Sequence, residues 1–313
     1  MMILRSMLFV PGNNMRMIIK SATLPADAII LDLEDAVPLP DKATARIMIR
    51  DSIKGIKLGG SYVFVRINAL TTNLTSEDTR LVTVEGLDGI MLPKTETKSD
   101  IAELDNILVK AEEASGLEPR SLKVVPLIES AKGVVNAYEI ASVSQRVIAV
   151  AFGAGDYYRD LGRNVAFISP EQTELLYARS RIVNSSVAAG VQAIDTVFFG
   201  LLTDREGFIK ETMLAVQLGF RGKLVIHPTQ IELVNKAFSP SKEEAEYAGR
   251  VVRAFEAARA KGLGAISFEG KMIDEMTYKQ ARDVVSFVRL IAEKEERQRT
   301  SYVSLSQFFA STA

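Results

Sequence analysis

The sequence predicts a (β/α)8 TIM barrel: eight short apolar runs alternate with helical patterns, and the runs end repeatedly in ionisable residues. Most runs are continuously apolar, as expected of parallel strands covered on both faces. No glycine-rich dinucleotide fingerprint follows the first run, so an open doubly wound sheet ranks second. A length of 313 residues suits one large α/β unit.

In chain order, strands are predicted over residues 7–11, 28–35, 62–68, 89–94, 123–129, 147–156, 193–199 and 223–228. A helix over about 100–116 carries Ile101, Leu104, Leu108 and Ala111 on one face. Ser169-Pro170-Glu171-Gln172 reads as an N-cap serine, a first-turn proline and a capping-box glutamine, opening a helix that Gly190 stops. Ser241 with Glu244 gives a second capping box, before a helix ending near Gly262. The barrel is therefore assigned to residues 1–262. Residues 263–313 are assigned to a C-terminal lid segment, a helix over about 277–297 and a polar tail expected to be poorly ordered from Thr300.

Composition narrows the chemistry. Hydrophobic residues make up 47% and charged residues 25%, as in a globular protein with a substantial core. A net charge of −1 gives no footprint for nucleic acid or an anionic membrane. No run approaches the roughly 20 apolar residues that span a bilayer, and no secretory signal precedes the Pro11-Gly12-Asn13-Asn14 turn, so the expected location is the cytoplasm. The chain has no cysteine, which excludes thiolate nucleophiles and thiolate metal sites, and His227 is the single histidine. A metal would need oxygen ligands, which points to Mg²⁺, Mn²⁺ or Ca²⁺.

At the carboxyl ends of the predicted strands stand Glu34-Asp35, Arg66, Lys94, Glu129, Asp156, Asp195 and His227. A barrel gathers these ends on the face where active sites are built, and packing alone does not account for so many charges there. Glu129 and Asp156, from neighbouring strands, can hold a Mg²⁺ with positions left for water and the oxygens of a 2-oxoacid. The bland alternative is a pair of strand-end salt bridges. Arg66 offers a planar cation to an oxyanion or a carboxylate; alternatively it pairs with Glu34 or Asp35. Glu34 and Asp35 are assigned to the substrate pocket, orienting Arg66. Gly155, in Gly153-Ala154-Gly155, lets backbone N–H groups approach a substrate carboxylate. Lys94 and Asp195 divide evenly between site and structural ion pair, and His227 reads as a loop-fixing hydrogen bonder.

Six motifs in order resemble the citrate lyase β-subunit-like family, which includes malyl-CoA and citramalyl-CoA lyases. They are Arg5-Ser6-Met7-Leu8-Phe9-Val10-Pro11-Gly12-Asn13, Leu31-Asp32-Leu33-Glu34-Asp35-Ala36-Val37, Val65-Arg66-Ile67-Asn68, Pro126-Leu127-Ile128-Glu129-Ser130, Phe152-Gly153-Ala154-Gly155-Asp156 and Ile226-His227-Pro228-Thr229-Gln230. The resemblance spans residues 5–290. It implies Mg²⁺ on Glu129 and Asp156, and Arg66 beside a forming enolate. It further implies a homo-trimer or hexamer that cleaves a 3-hydroxyacyl-CoA into acetyl-CoA and a 2-oxoacid. Lys271-Met272-Ile273-Asp274 resembles the family's lid motif, whose aspartate serves a neighbouring subunit as acid/base; the alternative for Asp274 is a helix cap. Arg16 and Lys20 are candidate contacts for coenzyme A phosphates; the alternative for both is an ordinary surface charge. The chain departs from the family at Gly155, where members often carry an acidic residue. Competing readings are the β-subunit of an acyl-carrier-dependent citrate lyase complex, a thioester hydrolase on the same site and a catalytically silent binding protein.

Overall fold

Eight parallel strands close on themselves in the computed structural model, which describes residues 2–169 and 171–311, with side chains through residue 301. The strands are β1 (Ser6–Pro11), β2 (Ala28–Asp32), β3 (Tyr62–Arg66), β4 (Gly89–Leu92), β5 (Lys123–Ile128), β6 (Ala149–Phe152), β7 (Gln192–Asp195) and β8 (Gly222–Val225). Each pairs with the next, and β8 returns to β1 through Ser6↔Lys223. Around them run α1 (Met15–Ser21), α2 (Lys42–Leu58), α3 (Thr75–Val82), α4 (Lys98–Ala114), α5 (Ala131–Val135), α6 (Ala137–Ser142), α7 (Ala154–Asp160), α8 (Leu176–Ala188), α9 (Arg205–Leu218) and α10 (Ile231–Ala237). Then come α11 (Lys242–Arg259), a hairpin of β9 (Ile266–Phe268) and β10 (Lys271–Ile273), and α12 (Glu275–Ser311).

The strands' two faces feed two cores. Met7, Ile30, Phe64, Met91, Leu127, Ile194 and Leu224 point inward and fill the barrel. Their neighbours Leu8, Ile29, Val65, Ile90, Ile128 and Val225 point outward and pack on the helices. Burying a side chain of this kind contributes roughly 1.5–3 kcal/mol, so the double layer explains the continuous apolar runs. A third cluster joins Val251 and Phe255 of α11 to Ile273 and Tyr278.

The last helix docks at the end of the barrel where the strands begin. Asp27, just before β2, pairs with Arg5 at 2.9 Å and with Lys294 of α12 at 3.2 Å. Gln298 donates to the Ala26 carbonyl at 2.9 Å. All four of these side chains are buried. Among the described residues no helix is long and apolar enough to cross a membrane.

Several predicted boundaries are corrected. Seven strands end earlier than expected, at Asp32, Arg66, Leu92, Ile128, Phe152, Asp195 and Val225. Pro93, Gly153 and Pro228 follow three of these ends and turn the chain away from its ladder. Asp156 thus lies in the first turn of α7 instead of on a strand. The capping box expected at Ser169 does not form. Gln172 turns left-handed, with φ 52°, and bonds the buried Glu211 and Arg179, while Ser169 bonds Glu174. Helix α8 begins only at Leu176, and Pro170 lies outside the described residues. The box at Ser241 and Glu244 forms as expected. The segment expected to lose order from Thr300 continues α12 through Ser311.

Candidate active site

Alternation along the strands builds the site. Two residues beyond the inward Met7, Ile30, Phe64 and Leu127 come Phe9, Asp32, Arg66 and Glu129, which again point inward, now above the apolar fill. Gly153, Thr196 and Ile226 stand at the same level after Ala151, Ile194 and Leu224. Together they line a cavity of about 870 Å³ at the carboxyl end of the barrel, the catalytic face of this fold.

Arg66 is fixed from below and from both sides. Its Nε and Nη2 each donate to Asp32 at 2.7 Å, and its guanidinium lies 4.7 Å from the Phe9 ring centre. Glu34 Oε2 sits 3.0 Å from Nη1 and has no hydrogen bond of its own. Burial pushes the arginine's pKa down, but the bonds and charges of Asp32, Glu34 and Asp35 outweigh it and hold it above the ordinary value. All three guanidinium nitrogens thus face carboxylates, Nε and Nη2 those of Asp32 and Nη1 that of Glu34, while Arg66 lines the cavity. Glu34 also accepts a hydrogen bond from Lys94. Its carboxyl is raised above the usual range, burial outweighing the pull of Arg66 and Lys94.

Across the cavity, Glu129 Oε1 accepts the Lys94 backbone N–H at 2.6 Å. Its Oε2 lies over Gly153, only 2.7 Å from where a Cβ would stand, so a side chain there would collide with the carboxylate. Burial, then the charges of Glu34 and Asp156, push the Glu129 pKa up to about 8. Asp156 is partly exposed and paired with Arg159 at 3.2 Å. A divalent cation fits this donor set: it would relieve the repulsion between two oxygen donors. Among the described residues no group of three or more acidic or histidine side chains is arranged to hold a metal, so a cation on this pair would need water or substrate oxygens as further ligands.

A family model for HpcH/HpaI aldolase/citrate lyase matches residues 5–228. The chain belongs to that family. It is 42% identical over 281 residues to citrate lyase subunit beta of Leuconostoc mesenteroides subsp. cremoris, covering 90% of this chain and 92% of that one. With the mitochondrial citramalyl-CoA lyase of Homo sapiens the identity is 33% over 300 residues, covering 93% and 87%. The crystal structure of CitE from Mycobacterium tuberculosis in complex with magnesium, acetoacetate and coenzyme A shares 31% identity and a TM-score of 0.68, covering 90% of this chain and 96% of that one. The chain is accordingly an enzyme, a lyase of the citrate lyase β-subunit-like type.

Within this lyase the remaining candidates separate. Gly155 faces the cavity, where a Cβ would come within 3.3 Å of the Phe199 ring, and Asp35 stands exposed at the rim. Arg16 and Lys20 are exposed on α1 and do not line the cavity. Asp274 does not line it either; its carboxylate caps α12, accepting from the Thr277 N–H and hydroxyl at 2.9 Å each. Asp195 follows the inward Ile194 and so faces outward, buried against Arg179 at 2.6 Å and Lys223 at 2.9 Å. His227 uses its ring nitrogen to cap the turn at Thr229, 3.3 Å away.

Sequence reasoning undervalued Asp32, the bidentate partner of Arg66, although it sits two residues before Glu34 in the same acidic run. It missed Lys42, whose buried ammonium holds the carbonyls of Leu33 and Glu34 at 2.6 and 2.9 Å and Asn68 at 2.7 Å. Asn68 is held in turn by Asp78, which pairs with Arg46. Nothing in a lone lysine on an amphipathic helix signals such a platform. Arg159 and Arg163 at the cavity edge were also missed.

Proposed function

We propose that the chain cleaves a 3-hydroxyacyl thioester into an acetyl thioester and a 2-oxoacid, reversibly, with Mg²⁺ (or Mn²⁺) held by Glu129 and Asp156. The observation that carries this is one cavity lined by a charge-strained carboxylate pair, Glu129 and Asp156, and by an arginine clamped between Asp32 and Glu34. When bound, the cation would polarise the 2-oxoacid carbonyl. A base takes the 3-hydroxyl proton, the O–H electron pair forms the 2-oxoacid carbonyl, and the pair of the breaking carbon–carbon bond passes to the thioester α-carbon. Arg66, held in place by Asp32 and Glu34, would stabilise the resulting enolate oxygen. The N–H groups near Gly155 would take the 2-oxoacid carboxylate. Asp274 of a neighbouring copy in a homo-trimer or hexamer would return a proton to the enolate carbon. Arg16 and Lys20 would meet the phosphates of coenzyme A.

A second reading, the β-subunit of a carrier-dependent citrate lyase complex, draws support from identity. The chain is 40–42% identical to citrate lyase beta subunits but 33–34% identical to the CoA-thioester lyases. The test is to incubate the protein with malyl-CoA, citramalyl-CoA and citryl-CoA, with and without Mg²⁺, and to follow 2-oxoacid release. Mg²⁺-dependent release from one of them is expected, and Arg66→Lys should lower its kcat about 10²–10³-fold with the fold intact. Release undiminished by chelation overturns the metal-dependent reading. Turnover of a citryl thioester on a carrier protein alone decides for the second.

A further inference from the structure

Lys94 stands just past β4, between the two halves of the site, and it touches both. Its backbone is left-handed, with φ 53°, a conformation that residues other than glycine adopt at a cost. Two anchors hold the turn: Thr95 N–H donates to the Leu127 carbonyl at 3.2 Å, and Thr95 Oγ1 to the Leu92 carbonyl at 2.9 Å. In this geometry the Lys94 N–H reaches Glu129 Oε1 at 2.6 Å, while its ammonium bonds Glu34, the carboxylate beside Arg66. Glu34, Arg66, Lys94 and Glu129 issue from four consecutive strands of the barrel, β2 to β5.

We propose that Lys94 is a positioning residue with two separable parts: its amide sets Glu129 for the cation, and its ammonium sets Glu34 and thereby Arg66 for the oxyanion. This rests on the assignment of Glu129 as a metal ligand. The division explains why a lysine occupies a left-handed position. Glycine would supply the turn and the N–H but not the cation; a β-branched residue would supply neither.

Titration of the metal-free protein with Mn²⁺, together with kcat and KM, tests the two parts on Lys94→Gly, Lys94→Val and Lys94→Arg. Lys94→Gly should bind Mn²⁺ within about 3-fold of the parent yet lose kcat about 10–100-fold, the usual range for groups that orient ligands. Lys94→Val should lose Mn²⁺ affinity as well, by about 10-fold or more. Lys94→Arg should recover most of the kcat lost in Lys94→Gly. Parent-like Mn²⁺ affinity in a folded Lys94→Val removes the amide's role. If Lys94→Val does not fold, a Lys94→Gly protein with Mn²⁺ affinity lowered 10-fold or more removes it equally. Parent-like kcat in Lys94→Gly removes the ammonium's role. Glu129→Gln separates the premise: if it binds Mn²⁺ as the parent does, the ligand assignment fails and the amide's role goes with it.

Discussion

At Glu129 burial and the charges of Glu34 and Asp156 hold the carboxyl pKa up, at about 8, so below that pH the metal-free site carries a proton there. On the proposed metal site, a cation would displace it. Mn²⁺ affinity should then rise about tenfold per pH unit from 6 to 8 and level off above, since the ligand must be deprotonated. Titrations at several pH values check this, and an affinity flat across the range would mean that Glu129 is already ionised in the empty site. How much of this was legible varies by residue. Arg66 and Glu129 end strongly apolar strands, and a charge in that setting signals a site. The Asp32 pairing was harder to read, because three acids within four positions offered Arg66 equivalent partners. Lys42 gave no signal, since its meaning depends on Leu33, Glu34 and Asn68 being folded around it.

Strands β7 and β8 and helices α8 and α9 are joined by charges sealed from water. Asp195 takes Arg179 and Lys223, and Lys223 also takes Glu211 at 2.5 Å. Asp195→Asn leaves two buried cations short of a counter-charge and should cost about 3–5 kcal/mol in denaturant unfolding. A loss within experimental error would mean that water reaches the cluster. Burial pushes the Asp195 pKa up, but Lys223 and Arg179 prevail and bring it to about 2, below the ordinary aspartate range. A depressed carboxylate stabilises the fold above its unfolded pKa, and that contribution fades as pH falls through about 2. The sequence could have placed this residue, because alternation from the inward Ile194 sends Asp195 outward. Element ends were less readable. Apolar residues continue past the last ladder partner, so predicted strands ran on into the loops that carry the site.

The order of eight strands was legible from hydrophobic pattern alone; the docking of α12 beneath the barrel was not, because an amphipathic stripe does not name its partner. That docking places Lys294 and Gln298 at the face opposite the cavity, with Asp274 at the far end of the same helix. Capping and acid/base work can be told apart. Asparagine caps as well as aspartate, whereas alanine costs about 0.5–2 kcal/mol. Asp274→Asn should therefore melt like the parent and be nearly inactive, while Asp274→Ala loses stability too. Mixed oligomers of Asp274→Asn and Glu129→Gln, with subunit exchange shown by native mass spectrometry, should regain part of the activity. Full activity in Asp274→Asn homo-oligomers would leave Asp274 as a cap alone.

The latch between α12 and the barrel floor also has a consequence for biosynthesis. Lys294 reaches the Ala26 carbonyl across 268 positions of sequence, and β1 must wait for β8 before its open edge is paired. At roughly 5–20 residues per second, a ribosome takes about 10–50 s to cover the distance from Ala26 to Lys294. For the part of that interval before β8 (Gly222–Val225) is made, the nascent chain carries an unclosed sheet edge, a feature prone to pairing with another chain. Closure of this barrel therefore waits for β8 and the sealing of its floor for α12, and a message broken upstream of the last helix yields a product with its floor unsealed.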